Sequence, residues 1–528
     1  MNLSIKLYDD ILVTSSITSI TLSPNYDKAR NELKKIFNGM DEDTPTFSQF
    51  FAVISDTFNP TFSYNLYYLV NASDIAKVIK KGCLEKKHKN DFRKVNLKNA
   101  SNKVVNFLNY FGFDINVYPT NEQLVVLQKL KERHIIEYYW VEGTAYPESD
   151  SSTQILERKP VADFNREQNF ISVGNNAQQA TLRQIKKNRF IKDFNMDSIK
   201  NRGLGAKIII LEKYATDKIE RLSKNKNLNK KFTKNGVVVS INNELNEFTR
   251  SDNQIIHQIQ TLLTLFASAD ETNPNDGIVP EADAVLGGIN ISDVSQNTLN
   301  ITMAEIRKLL FKVNNPRFKN AILLFEFIMD VPISESGTES HPIVVVPDIL
   351  EIINSMTKNE NIIAVGGVGN NSTPYDQLES GIWTLEGLKY TDLSKNIPSF
   401  IMIGASVFDE DVDSFVIEQT SNRSKNFDAY IYTDFFVGFP KDDIFFTGTS
   451  GAGAVAAGIV TYLQGNAIQK NRKKVRRVAM SKQPFITTRI IKQLFKQNFM
   501  KGFPNKILTP TTLQKLWTDA QRKMRVSQ

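Results

Sequence analysis

The stretch GTSGAGAVAAG, residues 448–458, sets one hydroxyl, Ser450, in a glycine turn that runs into small residues. A serine can attack a carbonyl when a base takes its proton and nearby donors receive the charge developing on the carbonyl oxygen. Gly448 permits a tight turn, Thr449 can bond back to it, and Ser450 then stands at the first position of a helix. A helix N-terminus offers N–H groups and positive potential that favour an oxyanion. The pattern has other readings. Gly451, Gly453 and Ala456 fit G-x-G-x-x-A, the spacing of a dinucleotide loop, which also wants an acid about 20 residues on. Between Ile444 and Thr518 there is no Asp or Glu, and no Gly-Lys-Ser/Thr follows, so the phosphate readings are weak. A plain serine cap is the remaining alternative. A nucleophile needs a base, and the chain has four histidines: His88, His134, His257 and His341.

These residues must be positioned by a scaffold. From about residue 180, near-continuous apolar runs (AKIIILE, AILLFEFIM, NIIAVGGVG and SFIMIGAS) alternate with helical segments. Such runs mean a parallel sheet covered on both faces. Sites on such sheets form at the carboxyl ends of the strands. Glu212, Asn370, Ser406 and the Thr449–Ser450 turn follow those strands and are the residues to watch. Ahead of them lies a smaller alternating α/β module. Thr/Ser-rich strands are expected near 11–23, a strand at FSYNLYYLV, a helix at SNKVVNFLNYFG and a strand at FDINVYP. A helix at TNEQLVVLQKLKER, capped by Thr120 or Asn121, and a strand at HIIEYYWVEG complete it. TAYPESDSSTQILERKP then reads as an exposed linker.

The chain's 528 residues suit two to four domains. Asp9 and Asp10 interrupt the N-terminus where a secretory signal needs an apolar core. The longest apolar runs are too short or too glycine-rich to span a bilayer. A single cysteine, Cys83, excludes an internal disulfide and suits a reducing compartment, so a soluble cytoplasmic protein is expected. The net charge of +8 is unevenly placed. From Lys470 to Gln528 there are 16 Lys and Arg against one acid, Asp519. This basic tail, with Ile490, Ile491, Leu494 and Phe495 at helical spacing, has several readings. It is a packed helix with a solvated basic face, or a surface for nucleic acid, an anionic membrane or an acidic partner.

GTSGAGAVAAG resembles the serine motif of the subtilisin-like serine proteases, the subtilases. RGLGAKIIILEKYATD resembles the strand that delivers their first triad member. IIHQIQTLLTLFASADETNPNDGIVPEADAV resembles the histidine helix and the loop after it. DILEIINSMTKNENIIAVGGVGNN resembles the segment that supplies the oxyanion side chain. SFIMIGASVFDED and QTSNRSKNFDAYIY resemble the later strand and Ser-Asn segment. The blocks lie in family order between about 180 and 465. The resemblance implies a three-layer α/β/α domain with a mainly parallel central sheet. It implies a serine endopeptidase with Ser450 as nucleophile, His257 as base, Glu212 as orienting carboxylate and Asn370 as oxyanion donor, acting on a protein or peptide substrate without cofactor or metal. The alternative is a catalytically silent binding or scaffold protein of the same fold. Glu212 stands where the family carries Asp, Gln258-Ile259 replace Gly-Thr after the histidine, and Ala454 replaces a proline. Asp217 is a poorer candidate for the acid, because it lies past the strand end.

The N-terminal module resembles a subtilase propeptide. That implies a zymogen whose segment Tyr138–Tyr146 occupies the cleft, with cleavage in the linker after about Glu142. The expected organisation is a module at 1–145, a linker at 146–180, a peptidase domain at 181–468 and a basic helical extension at 469–528.

Overall fold

The structure, a computed structural model, describes residues 1–8, 12–13, 20–21, 47–66, 109–132, 135–143, 145–147, 202–213, 237–240, 261–262, 264–266, 277–289, 303–314, 316–332, 338–376, 388–409, 414–433, 435–436, 445–446, 448–474, 485–499, 506–508 and 513–526. Among these, an eight-stranded sheet forms the centre. The strand Lys207–Lys213 is flanked on one side by Asp283–Ile289 and then Val237–Ser240. On its other side lie Ile322–Phe325, Ile363–Gly367 and Phe400–Asp409. Ala429–Tyr432 also pairs with Phe400–Asp409. All of these pairs are parallel; only the edge strand Ser414–Ile417 is antiparallel. Chain order therefore reverses at Lys207–Lys213, the kind of position beyond whose carboxyl ends sites form in parallel sheets.

Side chains alternate across this sheet and bury both faces. Ile208, Ile210, Ile322, Leu324, Ile363, Val365, Ile401 and Ile403 pack with the helix Gly448–Lys474 and the C-terminal helices Thr488–Gln497 and Leu513–Val526. Ile209, Leu211, Leu323, Phe325, Ala364 and Phe400 pack with the helices Met303–Val313 and Pro347–Glu360. The result is the three-layer α/β/α arrangement. The basic tail is part of it. Ile490, Ile491, Leu494 and Phe495 are buried, and Lys492 pairs with Asp428 at 2.8 Å. The helix Gly448–Lys474 crosses the expected domain boundary at 468/469. No helix among the described residues is long and apolar enough to cross a membrane.

The N-terminal module is an antiparallel four-stranded sheet in the order Phe62–Asn65, Tyr110–Asp114, Asn2–Leu7, Ile136–Glu142. Leu12–Val13 and Ile20–Thr21 pair antiparallel within the stretch expected to hold strands. The helix Asn121–Glu132 begins with a reciprocal cap: Gln123 N–H donates to Thr120 Oγ1, and Thr120 N–H to Gln123 Oε1. Asn2–Leu7, to which no expectation was attached, is a central strand buried on both faces. One expectation is corrected. Tyr110–Asp114 is a strand that begins inside the expected helix, because Tyr110, Phe111 and Phe113 each find a buried place in the sheet.

The module shares one continuous core with the main domain. At its centre Arg307 is fully buried between two carboxylates. It donates to Glu142 at 2.8 and 2.7 Å and to Asp348 at 2.6 and 3.0 Å. Glu142 also accepts from Asn2 Nδ2 at 2.7 Å and Trp140 Nε1 at 3.0 Å. Around this cluster, Lys389 N–H donates to Tyr139 O, Tyr390 Oη donates to Val141 O, and Tyr110 Oη bonds Glu351. Beyond Glu142 the chain continues as the strand Ala145–Pro147. It lies antiparallel to Phe327–Pro332, with Met329, Ile328 and Phe327 opposite Ala145, Tyr146 and Pro147. The first residues of the expected linker are thus strand.

Burial alone would raise the Glu142 pKa, but the Arg307 charge and the hydrogen bonds of Arg307, Trp140 and Asn2 outweigh it and hold the group below the ordinary glutamate range. A depressed folded-state pKa stabilises above the unfolded value, about 4.3, and is lost as pH falls through the folded one. Glu142→Gln should therefore cost about 3–5 kcal/mol at pH 7, because it leaves Arg307 short of a partner. Denaturant unfolding of both proteins at pH 7 and pH 4 should show that gap narrowing at the lower pH. An equal gap at both values would mean that charge at Glu142 is not what holds the module.

Candidate active site

The turn before Ser450 is built by Gly448, whose φ of +73° is in the left-handed region. A methyl group there would also sit 3.1 Å from Asn370 Oδ1. The turn opens the helix Gly448–Lys474, in which Ser450 is buried at 3% exposure. That helix rests directly on the sheet. A methyl at Gly453 would lie 3.2 Å from the backbone nitrogen of Gly367, and one at Gly465 would lie 2.8 Å from the backbone of Gly203. The small residues thus bring the N-terminus of the serine helix to the strand ends.

Asn370 lies three residues past the strand Ile363–Gly367, in a loop that meets this turn. Its Oδ1 accepts the Thr449 N–H at 2.9 Å, which fixes the amide and leaves Nδ2 as its donor end. Thr449 Oγ1 accepts the Gly369 N–H at 3.1 Å, so the hydroxyl bonds across to the loop and not back to its own turn. A further carboxylate closes the assembly. Glu418 is buried at 4% exposure and accepts the Gly448 N–H at 3.1 Å. A negative group at a helix N-terminus is favoured by the dipole and satisfies an end N–H. No spacing in the sequence pointed to Glu418, whose partner is thirty residues away.

Glu212 is buried at 1% exposure near the end of Lys207–Lys213, the strand at which chain order reverses. By alternation after Ile208 and Ile210 it faces the layer that holds the serine helix. Ser406 was expected just past its strand; it lies within Phe400–Asp409, fully buried, with no hydrogen-bond partner for its Oγ. His257 lies outside the described residues, as do His88, His134, Asp217, Gln258 and Ile259. The one histidine among the described residues, His341, is fully buried on the strand Thr338–Pro342. Among the described residues no group of His, Cys, Asp and Glu is arranged to hold a metal ion.

The structure therefore brings Ser450, Thr449 and Asn370 together, with Glu212 on the same side of the sheet. A carbonyl placed at this turn would meet a hydroxyl, an oriented amide donor and the positive end of a helix.

The structure has likenesses among solved protease structures, each with a TM-score below 0.5. It is similar to the prenylagaramide maturation protease PagA, at 12% identity and a TM-score of 0.37 over 63% of this chain and 98% of that one. A mutant of the protease domain of PatA matches at 16% identity and a TM-score of 0.38, over 63% of this chain and 99% of that one. The epidermin leader peptide processing serine protease EpiP from Staphylococcus aureus matches at 10% identity and a TM-score of 0.44, over 78% and 91%. No family model and no curated protein matches the sequence.

Gly448→Ala combines a left-handed backbone with a close contact to Asn370. It should destabilise the protein by about 1–2 kcal/mol from the backbone alone. It should also raise the exchange of the Thr449 amide, read by hydrogen–deuterium exchange of the peptide that contains it. Unchanged protection would mean that the turn tolerates a side chain and does not clasp Asn370.

Proposed function

We propose that this protein is a serine endopeptidase of the subtilisin type, made with an N-terminal inhibitory module. The observation that carries the reading is the clasp of the Asn370 amide on the Thr449 N–H, at the start of the helix that presents Ser450. Ser450 Oγ attacks the peptide carbonyl while His257 takes its proton and returns it to the leaving amine. Asn370 Nδ2 donates to the oxyanion. The carboxylate of Glu212 holds the imidazole in its working tautomer and stabilises the imidazolium. Water then hydrolyses the acyl-enzyme by the same route. Glutamate is one methylene longer than the family's aspartate, so the imidazole or backbone adjusts by about 1 Å to meet it.

The strand Ala145–Pro147 supports the inhibitory role. It lies antiparallel on Phe327–Met329, just past the carboxyl end of Ile322–Phe325. Adding a strand to an exposed edge is a general mode of binding an extended peptide. Here the chain itself holds the edge, tethered by a docked module at high effective concentration.

Tyr138–Glu142, expected in the cleft, is instead strand in the module's own sheet, with Glu142 bonded to Arg307. The cut expected after about Glu142 is therefore proposed beyond Ala145–Pro147. Purified wild-type protein should split within residues 148–180 and hydrolyse added peptides, while Ser450→Ala should stay one chain and be inert. Intact, inert protein in both cases would favour a silent scaffold. Intact wild type that still cleaves peptides would make the module a docking domain. Glu212→Asp should retain far more activity than Glu212→Gln, whose loss should be about 10⁴-fold, the size seen when a triad acid becomes an amide. Equal rates in the two variants would remove Glu212 from the mechanism.

A further inference from the structure

Behind the loop that carries Asn370 lie three polar side chains that the mechanism above does not use. His341, Tyr375 and Asn422 are each 0% exposed. His341 Nδ1 is 2.7 Å from Tyr375 Oη, and Asn422 Nδ2 donates to the same hydroxyl at 3.4 Å. The Tyr375 ring is braced by the rings of His341 and Phe427, each at a centroid distance of 5.5 Å.

Asn422 grips the loop on both sides of Asn370. Its Nδ2 donates to Val368 O at 2.7 Å, and its own N–H donates to Gly369 O at 2.9 Å. Its Oδ1 accepts the N–H of Asn371 at 3.1 Å and of Thr373 at 2.8 Å. One side chain thus holds the backbone before and after the oxyanion donor. The other end of the group reaches the peptide-holding edge. His341 stands opposite Met329 in one strand pair, and Met329 stands opposite Ala145 in the next. Direct contacts therefore run from the edge that holds residues 145–147 to the amide clasped at the start of the serine helix.

Burying hydrogen-bonding side chains is costly unless their partners are in place, and an apolar filling would avoid that cost. What the polar filling supplies is direction: hydrogen bonds fix the loop's backbone at particular points, which apolar contacts do not.

We propose that Asn422 is the positioning residue for Asn370, and that Tyr375 and His341 tie it to the strand edge at Phe327–Met329. An extended peptide on that edge and the oxyanion donor then share one rigid frame. This rests on the reading of Ser450 as the nucleophile. A frame of this kind affects the reacting geometry more than ground-state binding, so its loss lowers the chemical step and leaves affinity alone.

Tyr375→Phe deletes only the hydroxyl, and Asn422→Ala deletes the grip. Ser450 labelling by a small fluorophosphonate, followed to saturation in the full-length protein, separates the maximal rate from the half-saturating concentration. The maximal rate should fall about tenfold in Tyr375→Phe and about 100-fold or more in Asn422→Ala, with half-saturation unchanged. Hydrogen exchange of Asn371 and Thr373 should quicken in both variants while amides of Lys207–Lys213 keep their protection. Labelling within twofold of wild type in Tyr375→Phe, or a change confined to half-saturation, overturns the proposal. If the wild type is not labelled at all, the nucleophile reading fails, and exchange decides the frame. Quickened loop amides in Tyr375→Phe support it, and wild-type protection overturns it. Should Asn422→Ala fail to fold, Tyr375→Phe carries the test alone.

Discussion

The structure depends on how closely the serine helix approaches the sheet. Glycine at 453 and 465 lets helix backbone lie against the backbone of Gly367 and Gly203, where a methyl group would already crowd. Only at that separation can the helix N-terminus meet the loop past Ile363–Gly367. Thr449 then serves both partners: its N–H anchors the Asn370 amide, and its hydroxyl receives the Gly369 N–H. Glu418 satisfies the Gly448 N–H. Buried polar groups are costly without partners, so this mutual satisfaction is what allows a hydroxyl and an amide to be held inside the molecule.

A second constraint fixes the module to the main domain. A guanidinium at 0% exposure stays charged, and burying it demands carboxylates with good geometry. Glu142 from the module and Asp348 from the helix Pro347–Glu360 meet that demand together. The cluster lies at the last residue of the strand Ile136–Glu142, just before the chain turns onto the edge of Phe327–Pro332. Docking of the module therefore also sets where residues 145–147 lie.

The parts legible in the sequence were those with local signatures. Near-continuous apolar strands announced a parallel sheet, and strand ends pointed to Glu212 and Asn370. The Gly-Thr-Ser turn with its small residues marked the start of a deeply packed helix. The parts that were not legible depend on partners distant in the chain. Arg307 sits in MAEIRKLLFKV like any basic residue on an amphipathic helix, and its burial follows from Glu142, 165 residues earlier. Asn2–Leu7 alternates polar and apolar residues, but both faces are buried, since Lys6 and Asn2 find carboxylates on the neighbouring strand. Tyr110–Asp114 was misread because a run of aromatics suits a helix face as well as a strand. Glu418, Asn422 and Tyr375 take their meaning from the loop they enclose, which no spacing in their own segments encodes. His257, the base named from the sequence, lies outside the described residues.

The central claim is that the clasped turn presents one activated hydroxyl. Mass mapping of the full-length protein after saturation with a fluorophosphonate tests it most directly. The account predicts one phosphonyl adduct per chain, on the peptide containing Ser450, and none after prior denaturation. An adduct on another serine, or none on native protein, would contradict it.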